Sequence, residues 1–224
     1  PKPFIMVAGK PMIVWVIESL LSSISFNKEK DRFIFITRHA SPWLDMLDWI
    51  CEKMSLPRKI INIDKITDGA VCSMLLAKNL INSYEELLIV CSDQVTYFNK
   101  EHFNWLRTFP YCVAVPFVFR LKGKDSKWSF CKTNKFGLIE EVAEKVQISD
   151  IANTGLYYFK NGVDFVEAAE TMIGDNFRVN GEFYIAPVYN YLIKSGLLVV
   201  PFFVEKRIGL ATPEDLEVNK CWDE

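Results

Sequence analysis

The chain has 224 residues, half of them hydrophobic, with 14% aromatic, 24% charged and a net charge of -2. That is the balance of an ordinary globular protein, long enough for one sizeable core and, by length, one domain. It supplies no field to steer the chain to nucleic acid or an anionic membrane, and runs such as 196–204 fall far short of the roughly 20 apolar residues that span a bilayer.

In chain order, 11–24 carries apolar residues at helical spacing, with Pro11 suited to a first turn. A β-branched and aromatic strand follows at 32–38. Ser41 can cap an amphipathic helix over 42–54, whose tryptophans are expected to pack. Residues 58–63 read as a second strand, and Thr67 or Asp68 can cap a helix over 69–81. The run 86–92 is almost wholly apolar, as in a parallel strand buried on both faces.

Strand–helix alternation at this spacing predicts βαβ units under a parallel sheet. After residue 108 the pattern changes. Strands at 111–121, 127–133, 138–143 and 153–159 lie close together and predict a more antiparallel half. Helices at 161–173 and near 183–194 precede a strand at 197–204.

Six cysteines (51, 72, 91, 112, 131 and 221) occur singly, and His39 and His102 have no partner at ligand spacing. A zinc site or disulfide framework is not expected, and reduced thiols in a cytoplasmic protein are.

In an open α/β sheet, ligands bind beyond the carboxyl ends of the strands. Asp93 in "CSDQ" stands just past an apolar run, where a carboxylate can hold a divalent cation or cap a turn. "TDGA" (67–70) opens a helix, whose first amides can meet an anion or a base edge or serve capping alone. "EVAEK" (141–145) sets Glu144 beside Lys145, a phosphate-binding lysine or a solvated charge pair. Lys2 and Lys10 bracket the first apolar run and can touch phosphates or solvate a loop.

Taken together, "PKPFIMVAGKPMIVWVIESL", "TDGAVCSMLLAKNLI", "LLIVCSDQV", "EVAEKVQIS", "TGLYYFKNGVDFVEA", "NGEFYIAPVYNYLI" and "GLATPEDLE" resemble the sugar-phosphate nucleotidylyltransferases. The nearest pattern is the bacterial subgroup linked to capsule and surface-polysaccharide synthesis. The resemblance runs collinearly over nearly the whole chain. It implies a single-domain α/β fold, a Rossmann-like mixed sheet of the nucleotide-diphospho-sugar transferase (GT-A-like) type. It also implies an enzyme that joins an NTP to a sugar 1-phosphate with Mg²⁺, releasing pyrophosphate and an NDP-sugar, and it admits a homo-oligomer.

By this resemblance Asp93 is the Mg²⁺-binding aspartate, Lys145 contacts the sugar phosphate, and Glu144 hydrogen-bonds the sugar. Lys2 reaches the triphosphate. Thr67, Asp68, Gly69, Ala70 and Ser92 face the nucleotide, while Gly155 and Glu182 line the sugar pocket. Two departures stand out. The family's opening strand and G-x-G-x-R loop are expected ahead of "PKP", so Pro1 reads as the far end of that loop. Near "GLATPED", Leu210 and Ala211 stand where the family commonly has a second metal-binding Asp, and Asp215 belongs to a later helix. These departures keep open a catalytically silent nucleotide-binding relative. A glycosyltransferase of related fold is the third reading.

Overall fold

The computed structural model describes residues 1–38, 40 and 42–219. Ser41, the expected cap, lies outside the described residues, as do His39 and Cys221.

A 3-10 turn at Lys2–Phe4 precedes β1 (Met6–Val7), β2 (Lys10–Pro11) and α1 (Met12–Ser23). β3 (Phe33–Thr37), α2 (Trp43–Lys53) and β4 (Arg58–Asn62) follow. Then come α3 (Ala70–Leu75), α4 (Lys78–Ile81), β5 (Leu87–Val90), β6 (Gln94–Tyr97) and α5 (Lys100–Arg107). Longer strands β7 (Cys112–Arg120), β8 (Ser129–Thr133), β9 (Ile139–Glu144) and β10 (Ile151–Phe159) lead to α6 (Gly162–Gly174) and α7 (Val188–Lys194). β11 (Leu198–Val199), β12 (Phe202–Phe203), β13 (Lys206–Gly209) and α8 (Pro213–Val218) close the order.

These elements group into two compact units that interleave in sequence. The first takes Pro1–Ile66, Cys91–Lys100 and the segment from Glu205. Here β3 and β4 pair in parallel, from Phe33 opposite Arg58 to Thr37 opposite Asn62, joined through α2. Ile13 and Ile17 of α1 meet Leu47, Ile50 and Cys51 of α2 in one core, with Phe33, Phe35 and Ile60 packed against it. The apolar spacing of both helices serves that core. α1 also packs on β6, which pairs antiparallel with β13 from Gln94 opposite Gly209 to Tyr97 opposite Lys206.

The second unit takes Thr67–Val90 and Glu101–Val204. Its sheet is mixed: β10 pairs antiparallel with β5, β7 and β8, while β11 and β12 run parallel to β7. Phe117, Phe130, Phe159, Phe165 and Tyr189 are buried there, and Phe159 stacks on Tyr189 with ring centres 5.1 Å apart. α6 and α7 pack together, and α7 lies against β9. Gly162 begins α6 so close to α4 that a β-carbon would sit 1.8 Å from the Ile81 carbonyl oxygen.

Several expectations need correction. The strand at 86–92 was expected to be parallel and buried on both faces. β5 pairs antiparallel with β10, and of its four residues only Ile89 is fully buried. The helix over 69–81 is broken, because the Leu76 and Ala77 amides donate to Ser73 and Met74 in tight i−3 turns. No side chain caps α3, so neither Thr67 nor Asp68 plays that part. The strand over 197–204 is interrupted at Pro201, which has no N–H for the ladder. α7 starts only after Pro187, and β6 and α5 have no counterpart in the sequence reading.

Candidate functional site

The expected site residues fall into two clusters, one in each unit. In the first unit, Phe4 is buried and stacks on Trp43 at 5.3 Å, which anchors the turn that carries Lys2. The Lys2 ammonium lies 2.5 Å from a carboxylate oxygen of Asp93. Asp93 and half-buried Ser92 sit in the turn between β5 and β6. The Asp93 carbonyl accepts the Leu210 amide at 2.9 Å, so the β6–β13 pair fixes this turn.

Beside it, Arg207 donates to the Gln94 side-chain carbonyl at 3.1 Å. Burial of this guanidinium opposes its charge, with Asp215 acting the other way. Asp215 itself is committed to a capping box with Thr212, its carboxylate accepting the Thr212 amide at 3.0 Å. Fully buried Leu210 and neighbouring Ala211 offer no side-chain oxygen.

Among the described residues no group of three or more His, Cys, Asp or Glu side chains gathers to hold a metal. One carboxylate already shared with an ammonium does not make a self-contained Mg²⁺ site. It does suit the usual mode for this ion, in which one or two carboxylates bind while phosphates and water fill the shell.

The second unit holds the other cluster. Gly69 has φ +130°, a value side-chain-bearing residues avoid, and a β-carbon there would lie 2.5 Å from the Phe183 nitrogen. The contact is tight because two hydrogen bonds bracket it. The Phe183 amide donates to the Asp68 carbonyl at 2.9 Å, and the Val71 amide donates to the Phe183 carbonyl at 3.1 Å. The Val71 amide is therefore used within the protein rather than offered to an anion. The Thr67 hydroxyl meets the Gly69 carbonyl at 3.0 Å and the Ser73 hydroxyl at 2.6 Å, while Ala70 is exposed. Asp68 pairs with Arg178 at 2.9 Å.

Lys145 follows β9 with φ +58°, a left-handed value uncommon outside glycine, and its amide donates to the Trp128 carbonyl at 2.9 Å. That conformation turns the chain out of the strand. Its ammonium donates to the Tyr184 hydroxyl at 2.6 Å and lies 4.7 Å from the centre of that ring. The Tyr184 hydrogen bond is the main reason its pKa is raised, and exposed Glu182 adds to it. Glu144 is 7% exposed and accepts a hydrogen bond from the Ser129 hydroxyl. Burial pushes its carboxyl above the ordinary range, against the pull of Ser129 and Lys145.

Gly155, φ +86°, sits where the β10–β7 register shifts between Asn153 and Tyr157, and its amide donates to the Asn153 side-chain carbonyl at 2.6 Å. The Asn153 amide nitrogen and the Thr154 hydroxyl are buried without a protein partner, although their residues are only 2% and 1% exposed. A buried polar atom without a partner is costly and marks a place for water or a ligand hydroxyl.

Three residues of this cluster escaped the sequence reading: Tyr184, Arg178 and Asn153. Only Asn153 left a signal, as a polar residue inside the apolar run "IANTGLYYF". A hollow of about 490 Å³ between α2 and β4, lined by Asp45, Asp48, Trp49, Glu52 and Ile60, contains none of the expected site residues.

The fold is a mixed α/β fold with a mixed sheet, and it is shared with solved nucleotidyltransferase structures. A nucleoside-diphosphate-sugar pyrophosphorylase from Vibrio cholerae matches with a TM-score of 0.81 at 22% identity, over 97% of this chain and 90% of that one. A Bacillus anthracis protein assigned as a glucose-1-phosphate thymidylyltransferase, solved with sucrose, matches with a TM-score of 0.77 at 15% identity, over 99% and 85%. The inositol-1-phosphate CTP transferase from T. maritima gives 0.69 at 13%, over 96% and 82%. At these identities the likeness is one of fold. No family model matches the sequence, and no curated protein does. Among the described residues no helix is long and apolar enough to cross a membrane.

Proposed function

We propose that this chain transfers a nucleotidyl group from an NTP to a sugar 1-phosphate or a similar phosphorylated metabolite. The products are an NDP-sugar and pyrophosphate. The observation that carries this reading is Lys145, set in a left-handed turn at the end of β9 beside buried Glu144, with its ammonium held by Tyr184. The enzyme assignments of the solved structures that share this fold, and the collinear sequence blocks, support it.

In this reaction a phosphate oxygen of the acceptor attacks the α-phosphorus, the bond to the leaving pyrophosphate breaks, and no covalent enzyme intermediate is needed. The protein's task is positioning and charge neutralisation. Lys145 neutralises the acceptor phosphate and holds it in line. Glu144, and with it the unpartnered Asn153 amide, takes sugar hydroxyls, with Gly155 and Glu182 shaping that pocket. Thr67, Asp68, Gly69, Ala70 and Ser92 face the nucleotide, and Lys2 faces its triphosphate. Mg²⁺ is the proposed cofactor, with Asp93 as its protein ligand; once bound it would neutralise phosphate charge. The sequence blocks of the capsule-type subgroup support a cytoplasmic enzyme that supplies surface-polysaccharide synthesis.

The test is pyrophosphate release from the common NTPs with Mg²⁺ and a panel of sugar 1-phosphates and inositol 1-phosphate. Turnover with one pair is expected. Nucleotide binding by calorimetry without turnover on any pair would overturn it in favour of a silent relative. Transfer of labelled sugar from an NDP-sugar to an acceptor would identify a glycosyltransferase.

A further inference from the structure

Residues 176–184 join the two halves of the second unit's cluster, and one side chain ties this segment together. The segment turns at Asn180 and Gly181, whose φ of +49° and +84° suit a two-residue hairpin loop, closed by the Val179 and Glu182 amides, each donating to the other's carbonyl at 3.0 Å; Asn176 is left-handed too, at +52°. Arg178 spends two of its three guanidinium nitrogens on it and the third on Asp68. Nε donates to the Asn176 side-chain carbonyl at 2.8 Å, Nη1 to the Gly181 carbonyl at 3.0 Å, and Nη2 to the Asp68 carboxylate at 2.9 Å. The guanidinium carbon also lies over the Phe183 ring, 4.0 Å from its centre, where a planar guanidinium covers the ring in a way that a lysine does not.

Phe183 is the residue whose main chain brackets Gly69, and Tyr184, the next residue, holds the Lys145 ammonium. One side chain therefore braces the turn at 67–70 directly, through Asp68, and Lys145 indirectly, through Phe183 and Tyr184. Its ion pair alone carries little of this, since the Asp68 side chain is 64% exposed. The fork and the ring contact add to the Val179–Glu182 backbone pair in fixing the segment.

We propose that Arg178 is a positioning residue that holds the 67–70 turn and the Lys145 ammonium in one arrangement, so that neither moves without the other. Calling the two ends nucleotide-facing and sugar-phosphate-facing rests on the function proposed above; the coupling itself does not.

The experiment is site-resolved reductive methylation of lysines in the whole chain, with formaldehyde and cyanoborohydride, read by mass spectrometry. Loss of a hydrogen bond at the Lys145 ammonium is expected to speed its labelling about fivefold. That acceleration is expected in Tyr184→Phe and in Arg178→Ala, with Arg178→Lys in between and the paired Lys78 and Lys132 labelling at wild-type rates. Wild-type labelling of Lys145 in Arg178→Ala overturns the proposal, and so does uniform acceleration at every lysine, which would mean general loosening. If Arg178→Ala does not fold, Arg178→Lys, which keeps a charge near Asp68 but loses the fork and the ring contact, takes its place. A smaller acceleration is then expected, and none overturns the proposal. Labelling needs no turnover, so failure of pyrophosphate release would remove the function and leave this coupling standing.

Discussion

The hydroxyl of Tyr184 accepts a hydrogen bond from the Lys145 ammonium at 2.6 Å while its ring lies beside the same nitrogen. A tyrosine is a weak partner for a cation that is meant to stay put, since a carboxylate would hold it far more tightly. The arrangement aims the ammonium without neutralising it, which is what the proposed contact with an acceptor phosphate requires. Tyr184→Phe is therefore expected to raise KM for the acceptor phosphate about fivefold with little change in melting temperature. Lys145→Ala, which removes the charge itself, is expected to lower kcat/KM about a hundredfold. Steady-state kinetics on the pair found by pyrophosphate release separates the two effects. Equal losses in both variants would mean that Tyr184 does more than aim the lysine.

Gly69→Ala tests the bracket around Phe183. The new methyl group meets main-chain atoms, a nitrogen at 2.5 Å and an oxygen at 2.6 Å, which cannot swing aside as a side chain can. The backbone at φ +130° adds strain of its own. Together these are expected to cost about 2 kcal/mol or more in urea unfolding. The same variant is expected to weaken nucleotide binding, read by calorimetry. A stability within error of wild type would show that the segment carrying Phe183 yields easily.

Glu144 should leave a mark on the pH profile of stability. Burial raises its carboxyl above the ordinary value of 4.5, with Ser129 and Lys145 opposing. Folded protein then holds the proton more tightly than the unfolded chain does. From about the ordinary value up to the raised one the native state binds more protons, so stability falls as pH rises through that window and levels off above it. Glu144→Gln has no proton to lose and is expected to flatten this fall. Ser129→Ala removes a hydrogen bond that favours the charged form and is expected to widen it. Urea midpoints followed from mildly acidic to neutral pH report both, and parallel wild-type and Glu144→Gln profiles would refute the assignment.

The sequence reading located most elements, because their signals are local. The helical spacing in 12–23 and the β-branched run at 33–37 depend only on neighbours along the chain. Strand direction does not. β5 is apolar enough to be a buried parallel strand, yet its partner β10 lies some seventy residues on, and no local pattern encodes that pairing. The site divides in the same way. Asp93, Gly69 and Lys145 stand in recognisable blocks, whereas Arg178 and Tyr184 matter through Asp68 and Lys145, residues that are distant in sequence. Contacts of that kind become visible only once the chain is folded.

The ion pair between Lys2 and Asp93 offers the clearest separation of structure from function. Its side chains are 41% and 25% exposed, so solvent screens the attraction, and such pairs contribute about 0.2–1 kcal/mol to stability. Phe4, buried and stacked on Trp43, anchors the turn without help from the charge. Lys2→Met, Asp93→Asn and the double variant are therefore expected to unfold at nearly wild-type urea concentrations, with a small, salt-sensitive coupling between them. Activity should respond quite differently. If Lys2 faces the triphosphate and Asp93 is the ligand of Mg²⁺, each single variant is expected to lower kcat/KM by about a hundredfold. Only Asp93→Asn should also shift the Mg²⁺ concentration needed for half-maximal rate. Loss of activity in proportion to loss of stability would instead mark the pair as a fastening of the β5–β6 turn, and the metal role would have to be sought in another residue.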